Sequence, residues 1–197
     1  MPDYLPLSPE ITTTCQPLFE LSRRIATIMS SKPVQSSVSM QASLDDLLGA
    51  LYSLIYAKQH GFAERSHSLA TDDVLNVQVR ATDIAAGKVR TEGKWTAGYY
   101  FNGALFRIAG VYHRVLKIVA AKENEDDLYV KDLLPLVDAN FQAWTKGTWA
   151  HGKTTQVYRQ VNKLKHQADG IYQGRAVTFN DAVSALAELL ELIEAWR

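Results

Sequence analysis

The chain has 197 residues, 47% apolar and 21% charged, and its 21 basic and 21 acidic side chains leave no net charge. That composition excludes a disordered or fibrous chain, and the neutral balance gives no global pull toward nucleic acid or a membrane surface. The lone cysteine, Cys15, excludes an internal disulfide. The length suits a single domain, 1–197, that buries roughly 70% of its unfolded surface and needs no staple. The start Met1-Pro2-Asp3 lacks the basic-then-apolar order of a secretory signal. No apolar run approaches the roughly 20 residues that cross a bilayer. The expectation is a cytoplasmic protein with no membrane partner.

Helical spacing dominates, and the expected fold is all-α, a bundle of about six to seven helices. Ser8-Pro9-Glu10 offers a cap, a proline at the first helical position and an early acid, and Pro17 should kink or restart that helix. Leu18, Leu21, Ile25, Ile28 and Met29 then form a stripe. The serine-rich stretch Ser30 to Gln41, with Pro33, reads as a linker, so residues 1–40 are expected to be an N-terminal helix plus linker. The main bundle, 43–197, opens on Ser43 and Asp46, spaced as a capping box. Leu44, Leu47, Leu48, Leu51, Leu54 and Ile55 follow at helical spacing, and Gly61 should end that helix.

Thr71-Asp72-Asp73 is expected to start a helix reaching Gly87, with Val74, Leu75 and Ile84 inward, before a turn at Thr91 to Lys94. The longest helix is expected over Thr96 to Lys122; its wide apolar arc places it centrally, and Gly103 and Gly110 suggest a close helix approach. Another helix is expected from Leu128 to Lys146, broken at Pro135. After Gly147 to Gly152, a helix from Lys153 to Ala168 should stop at Asp169-Gly170. Thr178 and Asp181 should cap the last, with Phe179, Val183, Leu186, Leu190 and Ile193 as its seam.

Charge is unevenly placed. Acids cluster from Glu123 to Asp138, whereas Lys146, Lys153, Arg159, Lys163, Lys165 and Arg175 face only Asp169 between Trp144 and Arg175. Such blocks are commonly solvated faces, but a basic one can also steer an anionic ligand. No metal site is expected: the histidines form no His-x-x-x-His pair, and Glu64 and His67 give the di-iron Glu-x-x-His spacing only once. No cofactor motif is present either. Tyr99, Tyr100, Trp95, Trp144 and Trp149 could rim a small-molecule site, although aromatics at helix ends more often pack.

Two helices carry an arginine followed by a histidine. At about 100° per residue, Arg107 and His113 diverge by about 120°, whereas Arg159 and His166 project within about 20° of each other. Asn162 lies between the latter pair, Thr155 extends the line one turn back, and Val157, Val161, Leu164 and Ala168 take the other face. Arginine, amide and imidazole suit metal-free RNA cleavage: the imidazole exchanges the proton of a ribose 2′-hydroxyl, and the guanidinium holds the phosphate. Arg159, Asn162 and His166 are thus the candidate catalytic residues, with Thr155, Lys163 and Lys165 as candidate RNA-phosphate contacts.

The run Tyr158-Arg159-Gln160-Val161-Asn162-Lys163-Leu164-Lys165-His166, followed by an amphipathic helix from Thr178 to Trp196, resembles the C-terminal half of HEPN-superfamily domains. The resemblance covers about forty residues of the chain. It implies a helical bundle, in active members a metal-independent endoribonuclease, and a homodimer in which two motifs face one another. Aligning Asn162 and His166 with the family's Asn and His puts Val161 at the arginine position, so Arg159 must serve from two residues earlier. The expected function is therefore a non-catalytic binding or dimerisation module, with a defence or toxin-antitoxin system as the expected context. The alternative is an endoribonuclease using Arg159, Asn162 and His166. The expected partners are a second copy through the late helices, RNA, or another protein.

Overall fold

The N-terminal third shows how local chemistry sets helix boundaries. The computed structural model describes residues 6–62, 81–88, 94–140, 152–166 and 177–196. In α1 (Pro9–Thr14), Ser8 Oγ accepts from Ile11 N at 3.3 Å and Pro9 sits where a missing N–H costs nothing. The chain turns at Cys15, and α2 (Gln16–Met29) restarts with Pro17 in its first turn, as the proline requires. One face of α2, Leu18, Leu21, Ile25 and Ile28, is buried.

Residues 30–41 are not the linker their serine content suggested. They hold a single helical turn, α3 (Lys32–Gln35), and the start of α4 (Val38–Gln59). The cap of α4 is Ser37, whose Oγ accepts from Met40 N at 3.2 Å. Ser43 instead lies buried inside α4 and donates to Ser39 O at 2.8 Å. Asp46, rather than capping, turns toward the next long helix. Gln41 Nε2 donates to the carbonyls of Val34 and Gln35, closing the corner. Val34 and Met40 belong to the same buried cluster as α2 and the later helices, so this segment is part of the bundle.

α5 (Lys94–Val119) is the central element. It packs along the length of α4 and also meets α6 (Val130–Asn140), α7 (Lys153–His166) and α8 (Phe179–Trp196). No strand occurs among the described residues. The core is continuous, from Leu18 and Ile25 through Leu44, Ile108 and Leu116 to Leu186 and Ile193. α8 buries Phe179, Leu186, Leu190 and Ile193 of its expected seam within the chain, against α2, α5 and α7. A bidentate pair, Arg24 to Glu194, ties α8 to α2. Pro135 does not break α6, which runs through it. The proline ring removes one backbone bond, and its exposed position lets water reach the orphaned carbonyl.

α4 and α5 end in the same left-handed turn. After α4, Phe62 N bonds Ala57 O and Gly61 N bonds Lys58 O, with Gly61 at φ +76°. After α5, Lys122 N bonds Lys117 O and Ala121 N bonds Ile118 O, but here a non-glycine, Ala121, takes φ +54°. That conformation costs an L-residue roughly 1–2 kcal/mol.

Among the described residues Gly103 and Gly110 mark no close helix approach, since a Cβ on either would meet none of them within 4 Å. The close approach is at Gly49 of α4, where a Cβ would lie 2.9 Å from the Arg107 guanidinium. Of the helix expected up to Gly87, residues 81–85 are helical, and Ile84 is exposed rather than inward. Thr71-Asp72-Asp73, Val74, Leu75 and the turn at Thr91 lie outside the described residues, as do Glu64, His67, Lys146, Gly147, Ala168 and Asp169-Gly170. Among the described helices none is long and apolar enough to cross a membrane.

Candidate functional site

α7 is held from its buried side by polar contacts to residues distant in the chain. Its leading N–H groups have no partner within the helix, and Glu188 of α8 supplies one. The Glu188 carboxylate accepts from Lys153 N at 2.9 Å, Thr154 N at 2.8 Å and Thr154 Oγ1 at 2.8 Å. A negative charge there is also stabilised by the positive end of the helix macrodipole. Lys153 Nζ reaches Asp181 Oδ1 at 2.8 Å.

Asp181 and Thr178 form the expected cap of α8, Thr178 N donating to Asp181 Oδ2 at 3.0 Å and Asp181 N to Thr178 Oγ1 at 3.1 Å. Burial pushes the Asp181 carboxyl up, but the Lys153 ammonium and the two Thr178 bonds outweigh it, so its pKa falls below the ordinary value. Farther along α7, the buried Gln160 accepts from Val177 N at 2.8 Å, fixing the entry to α8.

Against α5, the Tyr112 hydroxyl and Thr155 Oγ1 lie 3.1 Å apart inside the protein, and Tyr158 meets the Tyr112 ring edge-on at 5.7 Å. Burial drives the Tyr112 hydroxyl up to about 12, outweighing the Thr155 bond and the Arg159 charge. Thr155 is therefore not on the solvent stripe assigned to it. It shares the helical register of Arg159, but α5 crosses the start of α7 and covers it.

The opposite side of α7 faces out. Arg159, Asn162, Lys163 and Lys165 are all exposed, while Val157, Gln160 and Val161 are buried. The helix is regular through His166, so that backbone stands on the same side as Arg159 and Asn162. The side chains of Leu164 and His166 lie outside the described residues. Lys165 Nζ sits 5.7 Å from the centre of the Phe106 ring on α5. The acids that α8 brings to α7, Asp181 and Glu188, are spent at its N-terminal end.

The other arginine and histidine do not converge. Arg107 NH1 donates to Asp46 Oδ1 at 3.2 Å, and Arg114 NH1 takes the second oxygen at 3.0 Å. His113 Nε2 points elsewhere, donating to Leu128 O at 2.7 Å. Arg107 thus serves the contact with α4, and His113 the segment that leads into α6. Of the aromatic rim, Tyr99 is exposed, and Tyr100 stacks on Tyr56 at 5.3 Å and on His60 at 5.7 Å. Trp144, Trp149 and the Trp95 side chain lie outside the described residues. Among the described residues no group of three or more His, Cys, Asp or Glu could hold a metal ion.

Sequence reasoning missed Glu188, Gln160 and Asp46. Each acts across helices on a partner distant in the chain, and no local spacing marks such a role. No family model, no curated protein and no solved structure matches the chain.

Proposed function

We propose that this all-helical chain is a binding module that engages RNA through the outer face of α7. The observation that carries the reading is that one helix without a single Asp or Glu turns Arg159, Asn162, Lys163 and Lys165 to solvent, while its other side is fixed by Glu188, Gln160 and Thr155. A rigid cationic strip on a protein of zero net charge suits a polyanion held by its phosphates. Asn162 adds a donor and acceptor for sugar or base edges. The test is a fluorescence-anisotropy titration of labelled single-stranded RNA at several salt concentrations. Affinity should fall with salt with a log–log slope of about two for three phosphate contacts. A flat salt response, or no binding at low salt, would contradict the reading.

A second reading, metal-independent RNA cleavage, is favoured by one specific observation: the unbroken helix from Arg159 to His166 keeps both backbones on the side that carries Asn162. It requires that His166→Ala abolish cleavage in the presence of a chelator while the protein stays folded. It also calls for two copies, since the resemblance implies facing motifs, so light scattering should show a dimer. Intact RNA after prolonged incubation with the wild type would leave the binding module as the account.

A further inference from the structure

We infer that the bound strand does not end on α7 but crosses Phe106 onto the outer face of α5, with an unpaired base stacked on the Phe106 ring. This rests on the RNA-binding reading and adds to it a path, a stacking residue and a preference for single strands.

The two helices form one electrostatic surface. Neither the 26 residues of α5 nor the 14 of α7 include an Asp or Glu. Lys165 joins them, its ammonium lying over Phe106. Phe106 is 42% exposed and Tyr99 69%, an unusual placement for large rings on the central helix of a bundle. With Gly103 and Gly110 they follow one line along α5, at steps of four, three and four residues. Among the described residues a Cβ at either glycine would touch nothing within 4 Å, so on this line the backbone before and after the Phe106 ring carries no side chain. A flat, approachable strip with a ring standing from it accommodates a base and its sugar.

The flank of this line is positive. Arg107 and Arg114 share a single carboxylate, Asp46, each through one NH1. Two cations against one anion leave a net positive charge, and each guanidinium keeps further N–H donors for phosphate oxygens. A homotypic contact is disfavoured, since two copies of this face would bring like charges together. An acidic peptide would satisfy the cations but has no use for an exposed ring. A base does, because every base has a face to stack, and a duplex keeps that face hidden.

The experiment measures RNA binding by wild type, Phe106→Ala, Phe106→Trp and the α7 variant Arg159→Gln/Lys163→Gln, with single-stranded and duplex RNA of equal length. The inference expects about tenfold weaker single-strand binding by Phe106→Ala, recovery in Phe106→Trp, and a wild-type preference for the single strand. Thermal melts confirm that each variant is folded. Phe106→Ala binding like wild type, while the α7 variant is impaired, overturns the path across α5 and leaves the α7 reading standing. Loss of binding in Phe106→Ala that Phe106→Trp does not restore also overturns the stacking role. Absence of binding by the wild type overturns both.

Discussion

Arg107 on α5 and Arg159 on α7 are each followed by a histidine within two turns, yet the fold treats them differently. α4 carries Asp46 to Arg107, and Gly49 clears the space for the guanidinium. Asp181 and Glu188 of α8 meet α7 at its N-terminal end, and Arg159 farther along is exposed. Residue type and spacing along one helix are therefore not what decides whether an arginine is structural or available. The neighbouring helix decides, and that neighbour is distant in sequence.

The comparison is broken most severely from the α7 side. Glu188→Ala should cost about 2 kcal/mol by leaving the first α7 amides short of an acceptor, while the Thr154 hydroxyl keeps the Ala185 carbonyl, and Glu188→Gln should recover part of it; chemical denaturation measures both. Next comes the α5–α7 contact. Because the Tyr112 hydroxyl is raised to about 12 when folded, the unfolded chain ionises first as pH rises above 10. Stability should be unaffected below pH 10 and fall between pH 10 and 12, and Tyr112→Phe should flatten that alkaline decline in a denaturation series while losing about 1 kcal/mol at neutral pH. At the end of α5, Ala121→Gly should raise stability by roughly 0.5–1 kcal/mol, read as a higher melting temperature, because glycine accepts the left-handed turn without strain. The smallest effect falls on the structural arginine. Asp46→Asn should cost less than about 1 kcal/mol, since both ion pairs are partly exposed and screened, as a melt at low and high salt will show.

Much of the fold was legible in the chain because burial has a period. The stripes Leu18 to Ile28 and Leu44 to Leu54 are buried at the positions the spacing predicts, and α5 is central because its apolar arc is wide. The Thr178–Asp181 cap was legible because both partners lie within one turn. What failed had equally local reasons to fail. Serines between 30 and 41 suggest a linker by composition, but Ser37 is a cap and Ser43 satisfies its hydroxyl within α4. Gly103 and Gly110 have the spacing of a close contact but no helix opposite them among the described residues.

For the candidate site, register placed Arg159 and Asn162 outward and Val157 and Val161 inward. It could not know that Tyr112 would cover Thr155. Tertiary crossing, not helical period, fixes which turn of a polar stripe reaches water.

The most direct measurement is the affinity of labelled single-stranded RNA for the wild type, for Arg159→Gln/Lys163→Gln/Lys165→Gln, and for a charge-matched control on other helices, Arg23→Gln/Lys32→Gln/Lys131→Gln, all six positions being exposed. The α7 triple variant should bind at least about tenfold more weakly than wild type, with a shallower salt dependence, and the control should remain near wild type. Equal losses in the two variants, or none in the first, would show that α7 is not the binding face.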